Sequence, residues 1–283
     1  MDSFATNSKK SFHIRSNSLP SKPHPVVAEV NEQLCRLQAS EATSSSSTLC
    51  QKLDGLKDLH DCIDKLLLLP LTHQALVDKK SVDDLLEGSL KLLDVCASAK
   101  DVLSQMKECA HELELALRRR RGDIVVDVQK YLTSRKMLKK VIHKALKGRE
   151  KTSSQKSDES SEIVSLLKEA ETVTYNSIEC LLLFVAGPKM PSKMSKWSLV
   201  SKLMQPKRVA CKDDGTDGNE VEMVDVALSS ITNHKFDFLV QGEDVQNSLS
   251  KLKLCIHDIE EGLESLYRHL IKNRVSLLNI LNH

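Results

Sequence analysis

The sequence predicts an all-α protein: an elongated multi-helix bundle with a coiled-coil-like C-terminal helix and a disordered N-terminal tail. Two observations lead there. From Val245, apolar residues recur alternately four and three positions apart, at Leu249, Leu252, Ile256, Ile259, Leu263, Leu266, Leu270, Leu277 and Ile280, a seven-residue repeat that gives a helix one narrow apolar seam. Only one Trp, three Tyr and five Phe occur in 283 residues, while leucine marks nearly every periodic segment, so the core is aliphatic and strand-type runs are scarce. With 40% apolar residues, this length fills one large domain or two small ones.

Residues 1–24 hold Ser, Lys, Arg, His and Pro with Asp2 as the sole acid and no apolar period, which predicts a disordered tail. One helical domain is expected over 25–283, with flexible linkers near 147–161 and 205–219. A helix begins at Val26 and runs to Leu37, where the serine run Ser44 to Ser47 stops it. A second runs from about Cys50 to Leu69 and ends at Pro70, which has no N–H to donate and disfavours helix before it. Ser81 and Asp84 suggest a capping box for a long helix whose seam is Val82, Leu85, Ser89, Leu92, Cys96, Ala99, Leu103, Met106, Ala110, Leu113 and Leu117. Small residues in that seam permit close helix approach, and Leu86, Leu93 and Val102 widen it beyond two-stranded pairing.

Gly122 and Asp123 suit a helix stop and a new cap, yet the apolar phase continues through Val128, Tyr131, Leu132, Leu138, Ile142 and Ala145, leaving a single kinked rod as an alternative. Ile163 to Ala186 follows, closed by Gly187 and Pro188; then a short amphipathic piece from Ser192 to Met204, a helix from Val221 to Ile231, and the seam helix. The one polar residue in that seam is Asn273. It reads as a register residue whose partner is polar, and on the seam alone Asn273→Leu is expected to stabilise the fold while loosening register.

Eight cysteines lie far apart, with no Cys-x-x-Cys pair and no zinc-like cluster, which favours small buried thiols over a disulfide framework. No Asn-x-Ser/Thr acceptor occurs, and the apolar runs Leu66 to Leu71 and Leu181 to Ala186 fall well short of the roughly 20 residues a membrane span needs. Cytoplasmic residence is the expectation, with peripheral membrane attachment as a variant and plastid import of the Ser-rich start as a weaker alternative.

The net charge of +2 is unevenly placed. Residues 118–151 carry 13 Lys/Arg against three acids, 187–212 carry seven and none, and 213–264 carry 13 Asp/Glu against three lysines. Such surfaces pair within one bundle or face partners of opposite charge.

Several strings resemble one family: Phe12 to Pro25 (FHIRSNSLPSKPHP), Leu59 to Leu71 (LHDCIDKLLLLPL), Leu85 to Val95 (LLEGSLKLLDV), Arg118 to Gly122, Trp197 to Cys211 (WSLVSKLMQPKRVAC), and Ile256 to His283. With these the chain resembles the plant-specific BYPASS-like proteins, a group classed as a domain of unknown function, from about residue 12 to the C-terminus. The resemblance implies a plant protein tied to root and shoot development. It implies no established enzymatic activity and supplies no active-site motif.

Three candidate sites come from the residues themselves. Arg15, Ser18 and Pro20 form Arg-Ser-x-Ser-x-Pro, so phosphorylation of Ser18 would suit an Arg-lined pocket of the 14-3-3 type; the alternative is an unmodified tail. Lys193, Lys196, Trp197, Lys202 and Met204 form a basic amphipathic piece for an acidic membrane surface or calmodulin, against a plain bundle helix with a solvated face. Asn273 is the third.

Glu108-x-x-His111 resembles half of a di-iron site, but no second copy is present and a solvated face explains it. The basic tracts lack interleaved aromatics, which argues against nucleic acid. No P-loop, dinucleotide glycine motif or nucleophile elbow occurs, so no cofactor or metal is expected. The preferred reading is a non-enzymatic helical interaction protein that meets other proteins through helix seams, with dimerisation secondary. Its alternative is a helical enzyme, or a regulator of one, acting on a small-molecule signal; an enclosed polar cavity would favour that alternative.

Overall fold

Apolar side chains at three- and four-residue spacing form stripes that must be buried, and among the described residues eight helices bury one another. The computed structural model describes residues 24–39, 45–119, 124–147, 161–187, 219–233 and 238–282; no strand occurs among them. The helices are α1 (Pro25–Ala39), α2 (Ser46–Leu67), α3 (Pro70–Ala75), α4 (Lys79–Arg119), α5 (Ile124–Lys147), α6 (Glu162–Ala186), α7 (Glu220–Asn233) and α8 (Phe238–Leu281).

Local chemistry sets their ends. Ser45 caps α2: its hydroxyl accepts from Thr48 N, and Thr48 Oγ1 accepts in return from Ser45 N, both at 3.4 Å. The serine run thus launches α2, four residues before Cys50. Pro70 does not simply end a helix. It occupies the first position of the short α3, where a missing N–H costs nothing, and the buried Thr72 hydroxyl donates back to Leu66 O at 2.6 Å. The cap of α4 is Asp78 rather than Ser81; its carboxylate accepts from Ser81 N at 3.1 Å and from the Ser81 hydroxyl at 2.8 Å. Gly187, at φ 70°, closes α6 in the left-handed region that glycine enters without penalty.

The chain folds back between α4 and α5. In one continuous rod, residues 112 and 130 would stand about 27 Å apart. Instead, Lys130 Nζ donates to Glu112 Oε2 at 2.9 Å, so the two helices lie side by side and the kinked rod is excluded.

The 44-residue α8 is the strut of the bundle, packed against α2, α4 and α7. It runs antiparallel to α4, as the pairs Lys107 with Glu260 and Lys253 with Glu114 show, and parallel to α2, as the pairs His60 with Asn273 and Asp64 with Ser276 show. Every seam residue from Val245 to Leu270 is buried, as is Leu277, while Ile280 is half-buried. The seam is therefore covered within this chain. The small residues Cys96, Ala99 and Ala110 of α4 are fully buried, and Cys96 Sγ sits 3.9 Å from Leu263 O. Gly262 of α8 likewise admits Leu53 of α2, where a Cβ would crowd the Leu53 side chain.

Candidate functional site: the two sides of α5

The inner side of α5 presents Val128, Tyr131, Arg135, Leu138 and Ile142, all buried, at three- and four-residue spacing. Arg135 is a cation inside this apolar stripe, only 2% exposed. Burying a guanidinium is costly unless its charge is paired and its N–H groups are bonded. Asp225 of α7 meets both needs, accepting from Arg135 Nε and Nη2 at 3.3 Å each. Arg135 Nη2 also approaches Ala186 O at 3.5 Å, placing a cation at the C-terminus of α6, where free carbonyls concentrate negative potential. Asn219 works on the same junction: its Oδ1 accepts from Val221 N at 2.9 Å to cap α7, and its Nδ2 donates to Phe184 O at 3.0 Å. Lys139 Nζ lies 3.8 Å from Asp225. The basic and acidic tracts of the sequence therefore meet at Asp225.

The outer side is different. Lys136, Lys140, Lys144 and Lys147 recur every four or three residues on the solvent face, and among the described residues none has an ion-pair partner. After Asp127, α5 contains no acid. Met137 (57% exposed) and Val141 (46%) stand beside the lysines. Near the C-terminal end, Lys139, Lys140, His143, Lys144 and Lys147 line a shallow groove of about 500 Å³. Unpaired cations in an acid-free groove attract anions, and lysines do so as flexible point charges.

Between α4 and α5 lies a second cleft, of about 390 Å³ and open to solvent, lined in part by Cys109, Glu112, Arg119, Asp127, Lys130 and Tyr131. The Tyr131 hydroxyl is buried without a hydrogen-bond partner, and burial pushes its pKa far up.

Asn273 lies in a buried polar junction of α2, α6 and α8. With its amide oxygen accepting from His60 Nδ1 at 2.8 Å, its nitrogen donates to the carbonyls of His60 and His269, each at 3.2 Å. The Thr174 hydroxyl lies 2.9 Å from His60 Nε2. Burial, then the nearby His269, lower the His60 pKa to about 3, so the imidazole is neutral. This changes what Asn273→Leu removes. The side chain is bonded to a buried histidine and to two carbonyls, so the expected stabilisation turns into a loss.

Ser18, Arg15 and Pro20, and likewise Lys193, Lys196, Trp197, Lys202 and Met204, lie outside the described residues. Glu108 and His111 are exposed on α4, and no cluster of metal-ligating side chains occurs among the described residues. Among those residues the cysteines are free thiols: Cys62, Cys96 and Cys255 are buried, while Cys35 is exposed. No helix there is long and apolar enough to cross a membrane. Sequence reasoning missed Arg135, His60 and Thr174. Arg135 carried a usable signal, because it fills the gap between Tyr131 and Leu138 in the apolar phase.

Comparison with curated proteins returns no match, and neither does comparison with solved structures. A family model does match, over residues 52–280, and its description, Protein BPS1, agrees with the BYPASS-like strings that fall within those residues. The chain belongs to the BPS1 family.

Proposed function

We propose that this chain is a non-enzymatic helical interaction protein of plant developmental signalling, acting in root and shoot, and that the outer face of α5 docks an acidic partner. The observation that carries the reading is the contrast across one helix. Its inner cations are matched by Asp225, while four outer lysines have no counter-charge among the described residues. Family membership supports the developmental context and no particular chemistry. Docking through Ser18 or the Trp197 piece belongs to the same reading, whereas the α8 seam is already covered within the chain.

The test is complementation of a plant lacking the chain with Lys136→Glu/Lys140→Glu/Lys144→Glu, at matched protein level and melting temperature. Wild type restores root and shoot growth and the variant fails; full restoration by the variant overturns the α5 reading. Affinity capture from plant tissue with and without Ser18→Ala tests the tail separately.

A second reading, a regulator that binds a small molecule, draws on the partnerless Tyr131 hydroxyl at the cleft between α4 and α5, which is open to solvent and not an enclosed polar cavity. Native mass spectrometry of protein purified from plant tissue, beside Tyr131→Phe, reads it directly. A retained small molecule that disappears in the variant supports this reading, and an unliganded mass in both ends it.

A further inference from the structure

Resting on the docking role of α5, we infer that the partner of its outer face is an anionic lipid surface, met by Lys136, Lys140, Lys144 and Lys147 with Met137 and Val141 between the headgroups. Four features select this occupant. The stripe from 136 to 147 keeps four charges within a sector of about 80° over a length of about 16 Å on one side of a rigid helix, which a plane can meet along its whole length. α5 packs against α4, α6 and α7 through its inner side, so nothing in the described bundle covers the stripe.

The charges are all lysine. A register-specific acidic peptide is better held by the planar, bidentate fork of arginine, whereas the one arginine of α5 points inward to Asp225; lysine's mobile point charge suits a surface of laterally diffusing phosphates. Finally, Met137 and Val141 expose apolar surface beside the lysines, a pattern that places aliphatic groups below the headgroups while ammonium groups stay among the phosphates. The groove walled by Lys139, Lys140, His143, Lys144 and Lys147 can seat one phosphate-bearing headgroup within that contact.

Each lysine near an anionic bilayer strengthens partitioning by about fivefold, so Lys136→Gln/Lys140→Gln/Lys144→Gln is expected to weaken it by about a hundredfold. The full chain is floated with vesicles of phosphatidylcholine alone, with added phosphatidylserine, and with added phosphatidylinositol phosphates. Wild type is expected to float with both anionic vesicles and not with the neutral one, and to be released at about 1 M salt, where the Debye length is about 3 Å.

The control variant Lys57→Gln/Lys79→Gln/Lys80→Gln removes the same charge from exposed lysines of α2 and α4 and is expected to float like wild type. Met137→Ser is expected to weaken binding severalfold without changing its salt dependence. Equal losses in the two triple variants, or undiminished flotation of the α5 variant, overturn the inference. A parallel titration with polyglutamate separates the two levels. Binding to the peptide through the α5 lysines, with no flotation, removes the membrane and leaves the docking role standing; absence of both removes both.

Discussion

α8 and α5 handle polar groups inside apolar stripes in opposite settings. α8 runs through the centre, so its one polar seam residue, Asn273, is enclosed and must be satisfied from all sides; His60 and two backbone carbonyls do this without a net charge. α5 runs along the edge. It encloses Arg135 against Asp225 on one side and leaves Lys136, Lys140, Lys144 and Lys147 to solvent on the other. The difference separates polar groups that specify packing from those that remain free to act, and the separating criterion is whether the structure already supplies the partner.

The largest test of this comparison is Asp225→Ala. It leaves the Arg135 guanidinium buried without its counter-ion, since Lys139 is itself a cation, and the expected loss is about 3 kcal/mol of unfolding free energy. Arg135→Met is expected to cost less, because Asp225 is partly exposed and Lys139 remains beside it. Urea denaturation of both variants checks the order; an Asp225→Ala loss below that of Arg135→Met would show that the pair does not govern this side of α5.

Asn273→Leu comes next, at about 2 kcal/mol of destabilisation, because His60 Nδ1–H and two carbonyls lose their partner in a dry site. The double variant His60→Leu/Asn273→Leu is expected to recover part of the loss, since removing both partners deletes the orphaned group as well. A melting temperature for Asn273→Leu above that of wild type would restore the register-only view of this residue.

The long helices were legible in the sequence because an apolar period reports directly on the buried face, and the stripes of α4, α5, α6 and α8 appear at the residues that recur there. Direction was not legible. The apolar phase across Gly122 fits a continuous rod and a hairpin equally, and only the meeting of Glu112 with Lys130 distinguishes them. Caps were half-legible: Asp78 and Ser81 are both capping residue types, and the one that caps α4 is the one whose carboxylate reaches two backbone N–H groups. α3 is only six residues long, too short to establish a period. The site was hardest to read. Lys136 and Arg135 are adjacent cations in sequence, and one rotation of about 100° along the helix puts them on opposite sides of the mechanism.

In the wild type a smaller effect is expected from pH, because two titratable groups oppose each other. His60 in the fold holds a proton less tightly than the ordinary value of 6.5, so stability is complete above that value and falls as pH drops toward about 3, at up to about 1.4 kcal/mol per pH unit. His269, near Asp61, and Lys272, paired with Asp64, face the junction on its outer side. Glu171 acts with the opposite sign. Its half-buried carboxyl is packed against Gly88 of α4, and burial raises its pKa to about 8, so its contribution is complete below the ordinary 4.5 and lost as pH rises through about 8. Between 4.5 and 6.5 the two oppose each other, and wild type is expected to be nearly flat. Glu171→Gln uncovers the His60 slope, and adding His60→Gln flattens it again; chemical denaturation at several pH values reads both. An unchanged slope in the double variant would place the titrating group elsewhere.

The smallest expected effect decides the meaning of the outer face. If Lys136, Lys140 and Lys144 are held for a partner and contribute nothing to the fold, Lys136→Gln/Lys140→Gln/Lys144→Gln removes two like-charge contacts at four-residue spacing and raises stability slightly, by up to about 0.5 kcal/mol. The gain is electrostatic, so it is expected to shrink as salt is added. Thermal melting at low and high salt measures it. A loss of more than about 1 kcal/mol would mean that the stripe supports the bundle, as surface side chains seldom do to that extent. In that case the lysines would belong with Arg135 and Asn273 among the residues that specify packing, and α5 would no longer differ from α8 in kind.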